Sequence, residues 1–272
     1  MDRRLWPATT RVAHTSLRGQ AGDLPLTKGE VLHIRVPITD LLRTPNGPRE
    51  RQLVLGDAFT VIDREGGHAF GFAGKDGYCG WLPEGALGRD PEPTHWVSSA
   101  GTHHYSGPRV QDALAPLPIG ARVRVRVSGH VGRFARVDHG FVPSSHLRAI
   151  GDWLSDPVAV AEGLLGTPYL WGGNSRDGID CSGLVQVAFA ACGVSVPGDS
   201  DLQEAAGRAV DGSLCRGDLI FWPGHVAMVV DDSRLIHANG FTMSVAYEDL
   251  QACMDRIDAA EGPVKAQRRV LI

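Results

Sequence analysis

Gly47-Pro48-Arg49 returns sixty residues later as Gly107-Pro108-Arg109, and the echo extends beyond the triplet. Leu55-Gly56-Asp57 followed by Phe59-Thr60-Val61 recurs as Ile119-Gly120-Ala121 followed by Val123-Arg124-Val125. Gly67-His68 recurs as Gly129-His130, and Trp81-Leu82-Pro83 as Phe141-Val142-Pro143. Between these points lie short apolar runs broken by Gly and Pro. One of them, Val123 to Val127, alternates valine with arginine, the period-two pattern of a half-buried strand. A unit of ~60 residues present only twice predicts two small closed barrels, because a solenoid needs three or more copies. The expected bounds are 1–29 for an N-terminal extension, 30–90 for the first barrel and 91–150 for the second. Arg89 to Pro93 is the expected link.

The texture changes from Asp152. Pro157 to Gly166 has helical apolar spacing with a terminal glycine. Asp180 to Cys192 is apolar almost all round, which predicts a buried helix ended by Gly193. Asp218–Trp222, His225–Val230 and Arg234–Ala238 read as strands, and 244–258 as a further helix. Residues 151–272 are therefore expected to form an α+β domain behind the two barrels.

Composition narrows the function classes. The 272 residues are 43% hydrophobic and 21% charged, the balance of a soluble globular protein. A net charge of −4 gives no electrostatic case for nucleic acid or an anionic membrane. No run approaches the ~18 apolar residues of a membrane span, and no apolar stretch follows Arg3-Arg4 to make a signal peptide. The five cysteines are an odd number without a C-x-x-C pair, so neither a disulfide framework nor a structural zinc is expected. The expectation is a cytoplasmic protein with no metal or cofactor.

Cys181 stands where the loop from Gly172 to Ile179 enters the buried helix. A thiol there meets free backbone N–H groups and the positive end of the helix dipole, which favour thiolate. Such a nucleophile needs a base, and the base an orienting partner. His225 and His237 lie in consecutive predicted strands. A three-residue loop at Asp231-Asp232-Ser233 puts them on one face, diagonally related; a two-residue loop puts them on opposite faces.

These residues carry a resemblance. Gly166-Thr167-Pro168-Tyr169-Leu170-Trp171-Gly172-Gly173-Asn174 with Asp180-Cys181-Ser182-Gly183-Leu184-Val185-Gln186 resembles the signature of NlpC-type papain-like cysteine peptidases. Arg216-Gly217-Asp218 through Gly224-His225-Val226 resembles a second motif, and Ile236-His237-Ala238 a third. The resemblance implies a cysteine helix packed on an antiparallel sheet. It assigns Cys181 as nucleophile, His225 as base and His237 as orienter, with Tyr169 holding the reacting carbonyl oxygen. Trp171 is expected to be a packing residue.

Gly77-Tyr78-Cys79-Gly80-Trp81 resembles the closing strand of bacterial SH3 domains; His139-Gly140-Phe141 keeps only its outline. Tandem units of this kind before an NlpC domain resemble γ-D-glutamyl-L-diamino-acid endopeptidases, which cut murein peptides whose N-terminal L-alanine is free. That resemblance implies a partner of the form L-Ala-γ-D-Glu-diamino acid. Asp180 would bind the alanine amine, and Ser182, Asp199 and Ser200 would hold D-glutamate. Tyr78 and Glu50 would close the alanine side. Relatives tend to carry arginine before the Asp-Ser pair where this chain has Gly198. The alternative is a wall-peptide binding module whose last domain is inactive or transfers acyl groups.

Overall fold

The computed structural model describes residues 2–117, 123–138 and 140–272, so Ile119-Gly120-Ala121 of the repeat and His139 lie outside the described residues. The chain divides into two compact units, with the boundary between Leu147 and Arg148 and with Ser98–Gly101 grouped in the second.

The first unit repeats one topology. Its strands are Glu30–Ile34 (β1), Ile38–Leu42 (β2), Arg49–Val54 (β3), Ala58–Glu65 (β4), His68–Ala73 (β5), Cys79–Pro83 (β6) and Leu87–Gly88 (β7), in the sheet order β3-β2-β6-β5-β4-β1-β7. The second copy has His95–Val97 (β8), Thr102–Tyr105 (β9), Ala113–Leu117 (β10), Arg124–Val125 (β11), Gly129–Val131 (β12), Phe134–Val137 (β13), Gly140–Pro143 (β14) and Leu147–Ala149 (β15). Its sheets run β10-β9-β14-β13-β12 and β11-β8-β15. The order is that of the first copy, with the long β4 replaced by two shorter strands, β11 and β12. Each copy ends in a 3-10 turn after a proline, Glu84–Ala86 behind Pro83 and Ser144–His146 behind Pro143. Both are SH3-like barrels.

Leu41, Leu53, Phe59 and Leu82 fill the first barrel, and Val97, Val123, Val137 and Val142 the second. Of the valine–arginine run only Arg124–Val125 is strand, but Val123 and Val125 are buried and Arg126 is exposed, as alternation requires. The Arg124 amide donates to the Leu55 carbonyl at 3.0 Å. Gly56 lies at this crossing with φ 82°, and a Cβ there would meet the Arg124 carbonyl oxygen at 2.2 Å. Only glycine allows that approach. The N-terminal extension straps the outer face of the first barrel. Thr9 and Arg11 bond Asp63, and the His14 ring stands edge-on to Phe72.

The second unit is a six-stranded antiparallel sheet between helices. Helix α1 is Pro157–Glu162, α2 Cys181–Ala191 and α3 Ser200–Gln203. The strands are Arg208–Ala209 (β16), Leu219–Trp222 (β17), His225–Val229 (β18), Arg234–Asn239 (β19) and Ser244–Asp249 (β20). Helix α4 (Leu250–Glu261) and Ala266–Arg269 (β21) follow, and the sheet order is β16-β21-β17-β18-β19-β20. Period two divides the sheet's faces. Leu219, Phe221, Val226, Met228 and Ile236 pack on α2. Ile220, Trp222, Ala227, Val229 and Leu235 pack on Cys253 and Ile257 of α4. Gly193, at φ 78°, closes α2.

The helix expected over 244–258 is corrected. Ser244–Asp249 pairs residue for residue with β19, and Asp249 then caps α4 by accepting the Ala252 amide at 2.9 Å. An Asp in an extended conformation is a helix start, which ends the strand at that point. No helix among the described residues is long and apolar enough to cross a membrane.

Candidate active site

Cys181 is the first residue of α2 and is 6% exposed. The residue before it, Asp180, is the N-cap. Its Oδ1 accepts the Gly183 amide at 2.6 Å and the Ser182 hydroxyl at 3.0 Å, and its Oδ2 accepts the Gly172 amide at 2.9 Å. One carboxylate thereby joins the glycine loop to the first turn of the cysteine helix. Ser182 is buried beside it. Gln203, fully buried, donates through Nε2 to the carbonyls of Ser182 and Pro197 at 3.0 and 2.9 Å. That bond ties α3, which begins with Asp199 as cap and Ser200 buried, to the start of α2.

The two histidines meet. Met228 pairs with Ile236 and Val229 with Leu235, and the Val230 amide donates to the Arg234 carbonyl, so the connection is the three-residue loop. His225 Nε2 lies 2.8 Å from His237 Nδ1. His237 is 1% exposed, and its Nε2 lies 2.9 Å from Glu248 Oε1 on β20. Arg256 of α4 donates through Nη2 to Glu248 Oε1 at 2.8 Å and to Oε2 at 2.9 Å, and its guanidinium stacks 4.4 Å from the Phe241 ring centre. The His237 bond, with Arg256 behind it, holds the Glu248 carboxyl at about 2 against the opposing effect of burial. Burial pushes His225 down to about 3, with Arg256 adding to the effect and Glu248 opposing it. Glu248 and Arg256 are the members of this chain that the sequence reading missed.

Tyr169 packs on the core that contains Cys181. Burial, then the nearby Cys181 and Asp180, drive its phenol well above the ordinary range, so it stays a hydrogen-bond donor. Trp171, expected to pack, is 69% exposed. Tyr78 and Glu50 belong to the first unit. Tyr78 lies in the barrel interior, and Glu50 accepts from both terminal nitrogens of Arg3, Nη1 at 2.6 Å.

The remaining thiols have a different character. Burial pushes Cys79 and Cys253 up to about 12 and Cys192 up to about 11, while Cys215 is exposed. Among the described residues, His237, Glu248 and Cys253 bring potential ligand atoms within 4.8 Å of one another. Arg256 already supplies the cation there, with Nη2 on Glu248 and 3.6 Å from Cys253 Sγ. The cluster is a charge-paired support for His237.

Comparison with known proteins agrees with this architecture. Residues 166–256 match the NlpC/P60 family, and residues 41–87 match the bacterial dipeptidyl-peptidase SH3 domain. The chain thus carries SH3-like barrels and a papain-like domain that matches the NlpC/P60 family. Among its relatives is a gamma-D-glutamyl-L-lysine dipeptidyl-peptidase of Bacillus cereus, 28% identical over 70% of this chain and 67% of the relative. A protein of the same description from Bacillus subtilis is 30% identical over 60% of each chain. The chain therefore spans roughly two thirds of these relatives' length. The crystal structure of an NlpC/P60 family protein from Bacillus cereus shares the fold, with a TM-score of 0.76 over 89% of this chain and 100% of that one at 23% identity.

Proposed function

We propose that the protein is a cysteine endopeptidase that hydrolyses the bond between γ-D-glutamate and a diamino acid in murein peptides with a free N-terminal L-alanine. The observation that carries the reading is the 2.8 Å bond between His225 and His237 on the sheet that packs against the helix opened by Cys181. In this mechanism His225 takes the proton of the Cys181 thiol, and the thiolate attacks the γ-carbonyl carbon. Tyr169 and main-chain N–H groups at the helix start hold the oxyanion. The C–N bond breaks as His225 returns the proton to the leaving amine. Water then opens the thioester with His225 again as base. His237 orients His225.

Asp180 receives the alanine ammonium while it caps α2. Ser182, Asp199 and Ser200 hold D-glutamate, and with Gly198 in place of an arginine its carboxylate is left to the Ser200 hydroxyl and to main-chain donors. The enzyme works in the cytoplasm on small released peptides, in their recycling. Five free cysteines suit a reducing compartment, and the relatives named as dipeptidyl-peptidases support a requirement for a free N-terminus.

The test is mass spectrometry of products from L-Ala-γ-D-Glu-diaminopimelate, the L-lysine equivalent, and the N-acetylated form of each. The expected result is release of L-Ala-γ-D-Glu from the free peptides alone. Equal cleavage of the acetylated forms, or transfer of the dipeptide to an added amine in preference to water, overturns it.

A further inference from the structure

Both nitrogens of His237 are engaged: Nδ1 faces His225 Nε2 and Nε2 faces Glu248 Oε1. An ionised carboxylate only accepts hydrogen bonds. Glu248 receives Arg256 on both oxygens, so the hydrogen between it and His237 belongs to His237 Nε2. A neutral His237 then offers a lone pair at Nδ1, and His225 must donate from Nε2. The remaining nitrogen of His225, Nδ1, is left with the lone pair.

We propose that Glu248, held by Arg256, is a positioning residue that sets the tautomers of His237 and His225 in series and leaves His225 Nδ1 as the basic nitrogen. This rests on the reading of Cys181 and His225 as nucleophile and base. When His225 takes the thiol proton, the S–H bond breaks and an N–H bond forms at Nδ1. The Nε2–H stays in place, so His237 and Glu248 keep their own protonation. The charges around the new imidazolium come from several elements. Glu248 on β20 favours it and Arg256 on α4 opposes it, with His237 and the buried Cys253 thiol beside Glu248. Asp180 and Tyr169 lie on the cysteine side. Removing the carboxylate leaves Arg256 unopposed, and removing the guanidinium leaves the carboxylate unopposed. The two substitutions therefore act in opposite directions, which a merely structural role does not produce.

The test uses the full chain with Cys215→Ser, so that the exposed thiol does not compete for reagent. Histidine-15N spectra report the tautomers, and iodoacetamide rates against pH report thiolate formation without any substrate. In the parent, both histidines are expected as Nε2–H. Glu248→Gln mixes the tautomers, because an amide can donate as well as accept. It also moves the alkylation midpoint up by about one pH unit, and kcat falls about a hundredfold while KM holds, the direction seen when an orienting carboxylate is neutralised in a serine triad. Arg256→Met keeps the tautomers and moves the midpoint down. Unchanged tautomers in Glu248→Gln, or midpoints that move the same way in both variants, overturn the proposal. If Glu248→Gln fails to fold, unaltered tautomers with a midpoint that does not fall in Arg256→Met overturn it as well. Slow alkylation of Cys181 in the parent defeats the underlying reading of the nucleophile instead, and the tautomer spectra still decide the role of Glu248.

Discussion

His225 Nε2 and His237 Nδ1 stand 2.8 Å apart because three residues, Asp231 to Ser233, connect their strands. With that loop, His225 lies diagonal to His237 across the ladder, and both side chains leave the same face of the sheet. The side-chain period is two, so a connection one residue shorter sends His237 to the opposite face. Asp231 keeps the loop tight by accepting the Ser233 amide and hydroxyl and two N–H groups of Arg234.

This arrangement predicts a graded set of losses. Cys181→Ala abolishes turnover, and His225→Ala costs about 10²–10⁴ in kcat, the usual weight of a general base. His237→Ala costs less, and the double variant is no worse than His225→Ala alone, because His237 acts only through its neighbour. Steady-state kinetics on the tripeptide check the order. Additive losses would mean that His237 acts on the substrate directly.

Acid should weaken the second unit, and the sign follows from two groups. His225 is held at about 3 against an ordinary 6.5, so between those values the unfolded chain binds a proton that the folded one does not. Glu248 is held at about 2 against 4.5, which gives the same direction over a lower window. Stability is therefore full above pH 6.5 and falls progressively toward pH 2. Urea unfolding at pH 7, 5.5 and 4 should show a steeper decline for the wild type than for His225→Gln. Parallel declines would remove His225 as the cause.

Much of the fold was legible because its signals were local. The repeat was visible since both barrels end on a proline and a 3-10 turn, Pro83 and Pro143. The cysteine helix was visible since nearly every residue from Cys181 to Ala191 is buried and Gly193 stops it. The histidine contact is not legible from residue types, because loop length decides it. Glu248 was missed for a traceable reason. Reading 244–258 as one helix put Glu248 on a helix, whereas Asp249 divides a strand from α4. A cap three residues ahead of Ala252 was the available signal. Trp171 is mostly exposed, because a place in a motif does not fix how deeply a ring is buried.

Asp218 and Arg269 should matter for folding more than any surface pair. The Asp218 side chain is 1% exposed, accepts two N–H groups of Arg269 and also accepts the Cys215 amide at 2.7 Å. Removing the guanidinium strands a buried carboxylate, which costs about 3–5 kcal/mol. Arg269→Leu should lower the melting temperature of the second unit far more than Arg234→Leu, whose partner Asp231 lies in an exposed loop. Calorimetry of both variants makes the comparison, and equal shifts would contradict the burial argument.

Asp180 carries two duties, and they should separate. As the cap of α2 it accepts from Gly183, Ser182 and Gly172. As the proposed seat of the alanine ammonium it must keep its negative charge. Asparagine is nearly as good a cap as aspartate, and its carbonyl oxygen can keep the Gly183 bond. Its amide then faces the buried Gly172 N–H donor to donor, which costs about 1–3 kcal/mol. Asp180→Asn should therefore fold, leave Cys181 alkylation close to wild type and raise KM for the free tripeptide. Asp180→Ala loses the cap as well, and its stability should fall by a further ~0.5–2 kcal/mol. The N-acetylated peptide has no ammonium to lose, so its poor binding should be the same in Asp180→Asn and in wild type. Binding of both peptides to Cys181→Ala forms, measured by calorimetry, isolates this effect from catalysis. A free peptide that binds equally well with and without the Asp180 charge would move the amine-binding role to another carboxylate.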